Sequence, residues 1–241
     1  MRDERAISSV PKPAVVLLLF GFLFQVLWHG TRPPLEAKAG DLPAPPSLEH
    51  LQVLSLGDPE TLARLLMLWL QAFDNQPGIS IPFRDLDYAK VASWLERILQ
   101  LDPRGQYPLL AASRLYGEVP DQGKQRFILG FVYQQFLKDP NSRWPWLAHA
   151  VYIAKHRLKD LPLALKYAEA LASHATGRDV PHWAQQMRIF VLEEMGETEA
   201  AKVLLGGLLE SGTITDPHEM YFLSERLKQL ESSAAPSGSS D

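Results

Sequence analysis

Cysteine is absent from the 241-residue chain, which excludes disulfide staples, thiolate zinc sites, redox thiols and a lipid anchor on cysteine. The absence fixes no compartment, because a thiol-free chain suits an oxidising space and a reducing one alike. An excess of positive charge is missing too: the formal net charge is -4 and the isoelectric point lies near 6.0. Phosphate binding needs a concentrated basic face, so nucleic acid is not expected as a partner. Catalytic signatures are equally scarce. The chain has no Gly-x-Ser-x-Gly, no phosphate-cradling glycine loop, no His-Glu-x-x-His and no thiol nucleophile. Neither enzyme activity nor a cofactor or metal is expected; a carboxylate pair assembled from distant residues is the arrangement that such absences leave open.

What is plentiful is apolar surface, 46% of the residues, enough for one sizeable core. The first concentration of it follows a short polar tail, residues 1–13, and runs from Ala14 to Trp28 with Gln25 as its single interruption. Extended from Pro13 to Gly30 it covers 18 residues, at the short end of the roughly 20 needed to cross a hydrocarbon core. A transmembrane helix over residues 14–30 is expected. Ala37-Lys38-Ala39 has the small-x-small form of a cleavage site but lies 11 residues past Trp28, beyond Pro33-Pro34. An uncleaved signal anchor is therefore favoured over a removed leader. Arg2, Arg5 and Lys12 before the segment outnumber Arg32 and Lys38 after it, which favours a cytoplasmic N-terminus, an inner-membrane location and a periplasmic domain.

Residues 31–47 contain five prolines and few apolar side chains, and read as an extended tether. Folded structure is expected from Leu48 to about Leu230, with a disordered tail over 231–241. Asp58-Pro59-Glu60 is a helix start, followed by Leu62, Leu65, Leu66, Trp69, Leu70 and Phe73 as an apolar face. Ile79, Ile81 and Phe83 alternate with polar or turn residues, as an extended piece against the core would. Asp87 caps a helix to Leu101 carrying Val91, Trp94, Leu95 and Ile98. Further helices are expected over Gln106–Tyr116, Gln122–Leu137 (core Phe127, Val132, Phe136, Leu137), Pro181–Met195, Glu197–Leu209 and His218–Gln229, the last as a solvating cap.

The central stretch from Pro145 to Ala175 reads as a helical hairpin joined at Lys159–Pro162, and its punctuation recurs. Pro108, Pro145, Pro181 and Pro217 fall 37, 36 and 36 residues apart, Asp102-Pro103 and Asp139-Pro140 are 37 apart, and so are Ala164 and Ala201. Each proline is expected at the start of a first helix, where the missing N–H costs no hydrogen bond. Stacked hairpins of this kind bury faces that none could bury alone.

Asp160 with Ala164, Ala168 and Leu171, Gly196-Glu197 with Ala201, Leu205 and Leu208, and the ending Leu101-Asp102-Pro103 together resemble the tetratricopeptide repeat over roughly residues 87–230. The period of 36 to 37 residues differs from that family's usual length of about 34, and the usual first-helix tryptophan, glycine and tyrosine are not in register. The resemblance implies an all-α, right-handed α-α superhelix with a groove that holds protein or peptide partners.

Within that groove Arg114 and Arg188, six and seven residues after their prolines, are candidates to meet a partner's carboxylates. Trp146 and Trp183, 37 apart, are candidate aromatic anchors, with packing between repeats the plainer role for them and for Trp144. His149 shares a helix face with His156, neither with an evident carboxylate for a metal site. Lys155, His156, Arg157 and Lys159 suit a helix C-terminus, and Glu193, Glu194, Glu197 and Glu199 read as a solvated acidic turn. The expectation is a membrane-anchored, non-catalytic scaffold for partners in the cell envelope. A recognition module for a small ligand or cell-wall glycan, or a cleaved secreted protein, are the alternatives. The sequence does not set the oligomeric state.

Overall fold

The computed structural model describes residues 11–31, 40–76, 79–212 and 214–233. Most of the expected tail over 1–13, residues 32–39 of the expected tether and the end of the expected tail over 231–241 lie outside the described residues. Helix α1, Lys12–Gly30, belongs to one compact unit and all later helices to another.

Proline in its first turn starts α1, and at its end the Thr31 hydroxyl donates to the Trp28 carbonyl at 3.0 Å. Its best 18-residue window has a mean hydropathy of 1.8 and none of that window is buried. The helix is long and apolar enough to cross a membrane, as a signal sequence also can be.

The second unit is helical: α2 (Leu48–Leu54), α3 (Pro59–Ala72), α4 (Tyr88–Leu101), α5 (Tyr107–Arg114), α6 (Gln122–Lys138), α7 (Pro140–His156), α8 (Leu161–His174), α9 (His182–Met195), α10 (Thr198–Glu210) and α11 (Pro217–Ser233). Two strands of two residues and the 3-10 turns Phe83–Asp85 and Tyr116–Glu118 complete the regular structure among the described residues. From α3 onward each helix packs on its successor, and α5 on α7 and α7 on α9 as well. Aspartate begins most of these helices. Asp58, Asp121, Asp139 and Asp160 accept from the N–H three residues on, at 3.0, 3.0, 3.3 and 3.0 Å, and Asp87 from Ala89 at 2.9 Å. Each such cap is worth about 1 kcal/mol.

Asp160 also pairs with Arg126 on α6. The Leu163 N–H, and after it the Arg126 guanidinium, hold the Asp160 carboxyl below its ordinary pKa. A carboxyl depressed in the folded chain stabilises it above the unfolded pKa and loses that contribution as pH falls through the folded one. Asp160→Ala is expected to cost about 1–2 kcal/mol at neutral pH and less at a pH well below the ordinary aspartate value of 3.8. Urea melts at the two pH values check this.

The expected tether is shorter than its proline content implies. Leu42 is only 3% exposed, within the core, the Trp94 indole N–H donates to the Pro43 carbonyl at 2.8 Å, and Gly40 N–H donates to the Gln76 side chain at 2.7 Å. Leu42 joins the core and Gly40 is held by Gln76, so packed structure begins eight residues before Leu48. Ile81 and Phe83 tuck against the same core.

Three other expectations are corrected. Pro145 does not start a helix: Asp139 caps α7 and Pro140 fills its first turn, so Pro145 sits inside it, where its ring nitrogen has no hydrogen for a preceding carbonyl. The expected helix from Gln106 to Tyr116 ends at Arg114 and tightens into a 3-10 turn. On α6 the buried stripe is Ile128, Leu129, Val132 and Phe136, whereas Phe127 and Leu137 are 48% and 38% exposed; spacings of three and four residues select one face. The recurrent alanines are where close packing needs them, with Ala164, Ala168, Ala184 and Ala201 fully buried. Ala184→Leu is expected to overpack this contact and destabilise by about 1–3 kcal/mol, read as a lowered denaturant midpoint.

Candidate functional site

The first helices α5, α7 and α9 lie side by side, and the aromatic candidates join them. Trp146 on α7 donates its indole N–H to Gln106 Oε1, just before α5, at 2.7 Å. Trp144 meets Trp183 on α9 edge to face, ring centroids 5.3 Å apart at 76°. Packing between hairpins accounts for Trp146 and Trp144. Trp183 takes part in that packing and keeps half of its surface exposed.

His149 faces the turn after α5. Its Nε2 lies 3.3 Å from Glu118 Oε1, and Glu118 also pairs with Arg157 at 3.2 Å. Sequence reading gave His149 no carboxylate; Glu118 arrives through the fold, from a 3-10 turn 31 residues earlier. Burial first, then the nearby Arg114 charge, lowers the His149 pKa against the opposing pull of Glu118. Tyr152 stacks on His149 at 5.9 Å and leans on His156 at 4.8 Å, and half of it remains exposed. The two histidines therefore flank a phenol, and among the described residues no group of three His, Asp or Glu could hold a metal ion.

Arg114 is exposed and Arg188 half-buried, and neither forms an ion pair among the described residues. The fold brings Arg114, His149 and Glu118 together and Trp183 to Trp144. No hydrogen bond or ion pair among the described residues joins Arg188 to them. By contrast the expected acidic turn is not free: Glu193 accepts both Arg226 Nε and Nη2, at 3.0 and 2.6 Å, tying α9 to α11, and Glu194 takes Lys155 at 2.6 Å, tying α9 to α7. Partners on neighbouring helices, invisible to a local reading, absorb those charges.

No protein-family model, curated protein or solved structure matches this chain.

A second feature escaped sequence reasoning. Between α3 and α5 lies an open cleft of about 740 Å³, with Met67 and Leu68 on one wall, Tyr107 and Pro108 on the other, and Arg64, Arg104 and Asp102 at its edges. The Tyr107 hydroxyl lies 2.9 Å from Gln71 Oε1 on α3. Its signal was the apolar excess of α3: Leu65 and Leu68 are exposed although both belong to an almost continuous apolar run. Chemically, α3, α5, α7 and α9 carry exposed apolar side chains, half-exposed rings and guanidinium groups that form no ion pair among the described residues. These suit an apolar segment bearing carboxylates.

Proposed function

We propose that the chain is a membrane-anchored, tetratricopeptide-like scaffold that holds a protein or peptide partner in the cell envelope without catalysing a reaction. The single observation that carries this reading is that α5, α7 and α9 carry half-exposed rings, Tyr152 and Trp183, and guanidinium groups, Arg114 and Arg188, that form no ion pair among the described residues. Successive packing of hairpins supports a superhelix, right-handed by the resemblance, and the length and apolarity of α1 support a membrane span; the distance of Ala37-Lys38-Ala39 from Trp28 and the charge bias around α1 are what favour an uncleaved inner-membrane anchor with the helical domain in the periplasm. A photoreactive residue in place of Arg188, crosslinked in cells and analysed by mass spectrometry, tests the reading. A discrete protein crosslink lost in Trp183→Ala is expected; absence of any protein product would overturn it.

The cleft beside Tyr107 favours a second reading, a recognition module for a small ligand or cell-wall glycan, since its volume falls within the range of ligand pockets. Mass analysis of the mature N-terminus separates both from a secreted protein, which would begin near Gly40.

A further inference from the structure

Helix α1 carries one polar side chain inside its apolar run, Gln25 between Phe24 and Val26. Lys12–Gly30 is 19 residues long, about 28 Å at 1.5 Å per residue, which places Gly21 at its middle and Gln25 about 6 Å beyond. Both would lie in hydrocarbon. The Gln25 side chain is exposed, and its amide meets no partner among the described residues. In lipid, with no water to satisfy it, a carboxamide seeks a partner on another helix.

Gly21 stands one turn before Gln25 and His29 one turn after, at spacings of four, so the three share one stripe of the helix. Glycine is a poor helix former, yet nothing in the helix calls for it: Gly21 has no positive φ, and a Cβ added there would meet no atom within 4 Å. Its missing side chain gives a partner backbone room to approach where Gln25 needs a hydrogen bond. A carboxamide is donor and acceptor at once, so an identical helix related by a twofold axis satisfies both halves of it, as an isologous contact requires.

We propose that α1 pairs with α1 of a second copy of this chain along Gly21, Gln25 and His29, the two Gln25 amides exchanging hydrogen bonds. This rests on the reading of α1 as a retained membrane span. The native lack of cysteine makes the full chain ready for single-cysteine crosslinking in membranes. Leu18→Cys, on the same stripe, is expected to form a disulfide dimer under mild oxidation, and Leu23→Cys, on the opposite face, is not. Adding Gln25→Leu to Leu18→Cys should lower the dimer yield about three- to tenfold, and Gln25→Asn should largely keep it. A chain that stays in the membrane on carbonate extraction, but crosslinks equally from both faces or ignores Gln25→Leu, overturns the pairing while leaving the anchor standing; in that case Gln25 reaches for headgroups or for a different protein. A chain released by carbonate, or lacking its first residues, overturns the anchor and the pairing together.

Discussion

Phe136→Ala is expected to lower the unfolding free energy by about 3–5 kcal/mol, the largest effect of any single truncation proposed for this domain. Phe136 is fully buried near the end of α6, the helix that packs against α4, α5 and α7. Deleting its ring loses the transfer free energy of the removed carbons and leaves a cavity that three neighbours must collapse to fill. The collapse is restricted, because Asp139 closes α6 and caps α7 at once. Urea titration should show the midpoint falling with the slope unchanged. A loss below about 1 kcal/mol would mean that α6 is not central to the core.

Arg143→Ala is expected to cost about 2–4 kcal/mol through a different mechanism. Arg143 is only 5% exposed and has no carboxylate among its hydrogen-bond partners; its Nη1 donates to the Gln135 carbonyl and side-chain oxygen at 2.8 and 3.2 Å, and Nη2 to the Pro103 carbonyl at 3.0 Å. These oxygens belong to the last turn of α6 and to the turn after α4, where helix carbonyls lack partners of their own. Burial lowers the guanidinium pKa, with Asp139 opposing. Lysine has no planar fork to reach both segments, so Arg143→Lys should recover little of the loss. If Arg143→Met proves as stable as the native chain, the hydrogen bonds contribute nothing net and apolar contact of the side-chain stem carries the stabilisation.

Helix existence was legible from local chemistry, but helix boundaries were not always. Asp58 and Asp87 announce starts because a carboxylate followed by a proline or an apolar period has one economical use. Pro145 misled because its spacing from Pro108 and Pro181 is regular while Asp139-Pro140, which also ends α6, made the more effective start. Leu42 was hidden among prolines that argue for a free linker, since nothing local shows that Trp94 and Gln76 will be there to hold Pro43 and Gly40 on either side of it. The same limit governed the site. Arg114, Trp183 and His149 could be singled out by type and position. Glu118, the Glu193–Arg226 pair and the cleft between α3 and α5 exist only once helices distant in sequence are neighbours.

The buried apolar residues of the domain fall into two clusters rather than one. The larger extends from Leu42 to Val191, and the smaller gathers Ile189, Ala201, Leu205, Ile214, Leu223 and Leu230. Helix α9 contributes to both, as a party wall does to two houses. Cooperativity should therefore be uneven along the chain: α10 and α11 can fray together while α4 to α8 stay intact. Any partner that grips the far side of α9 meets a soft edge, and its binding would tighten that edge rather than merely occupy it.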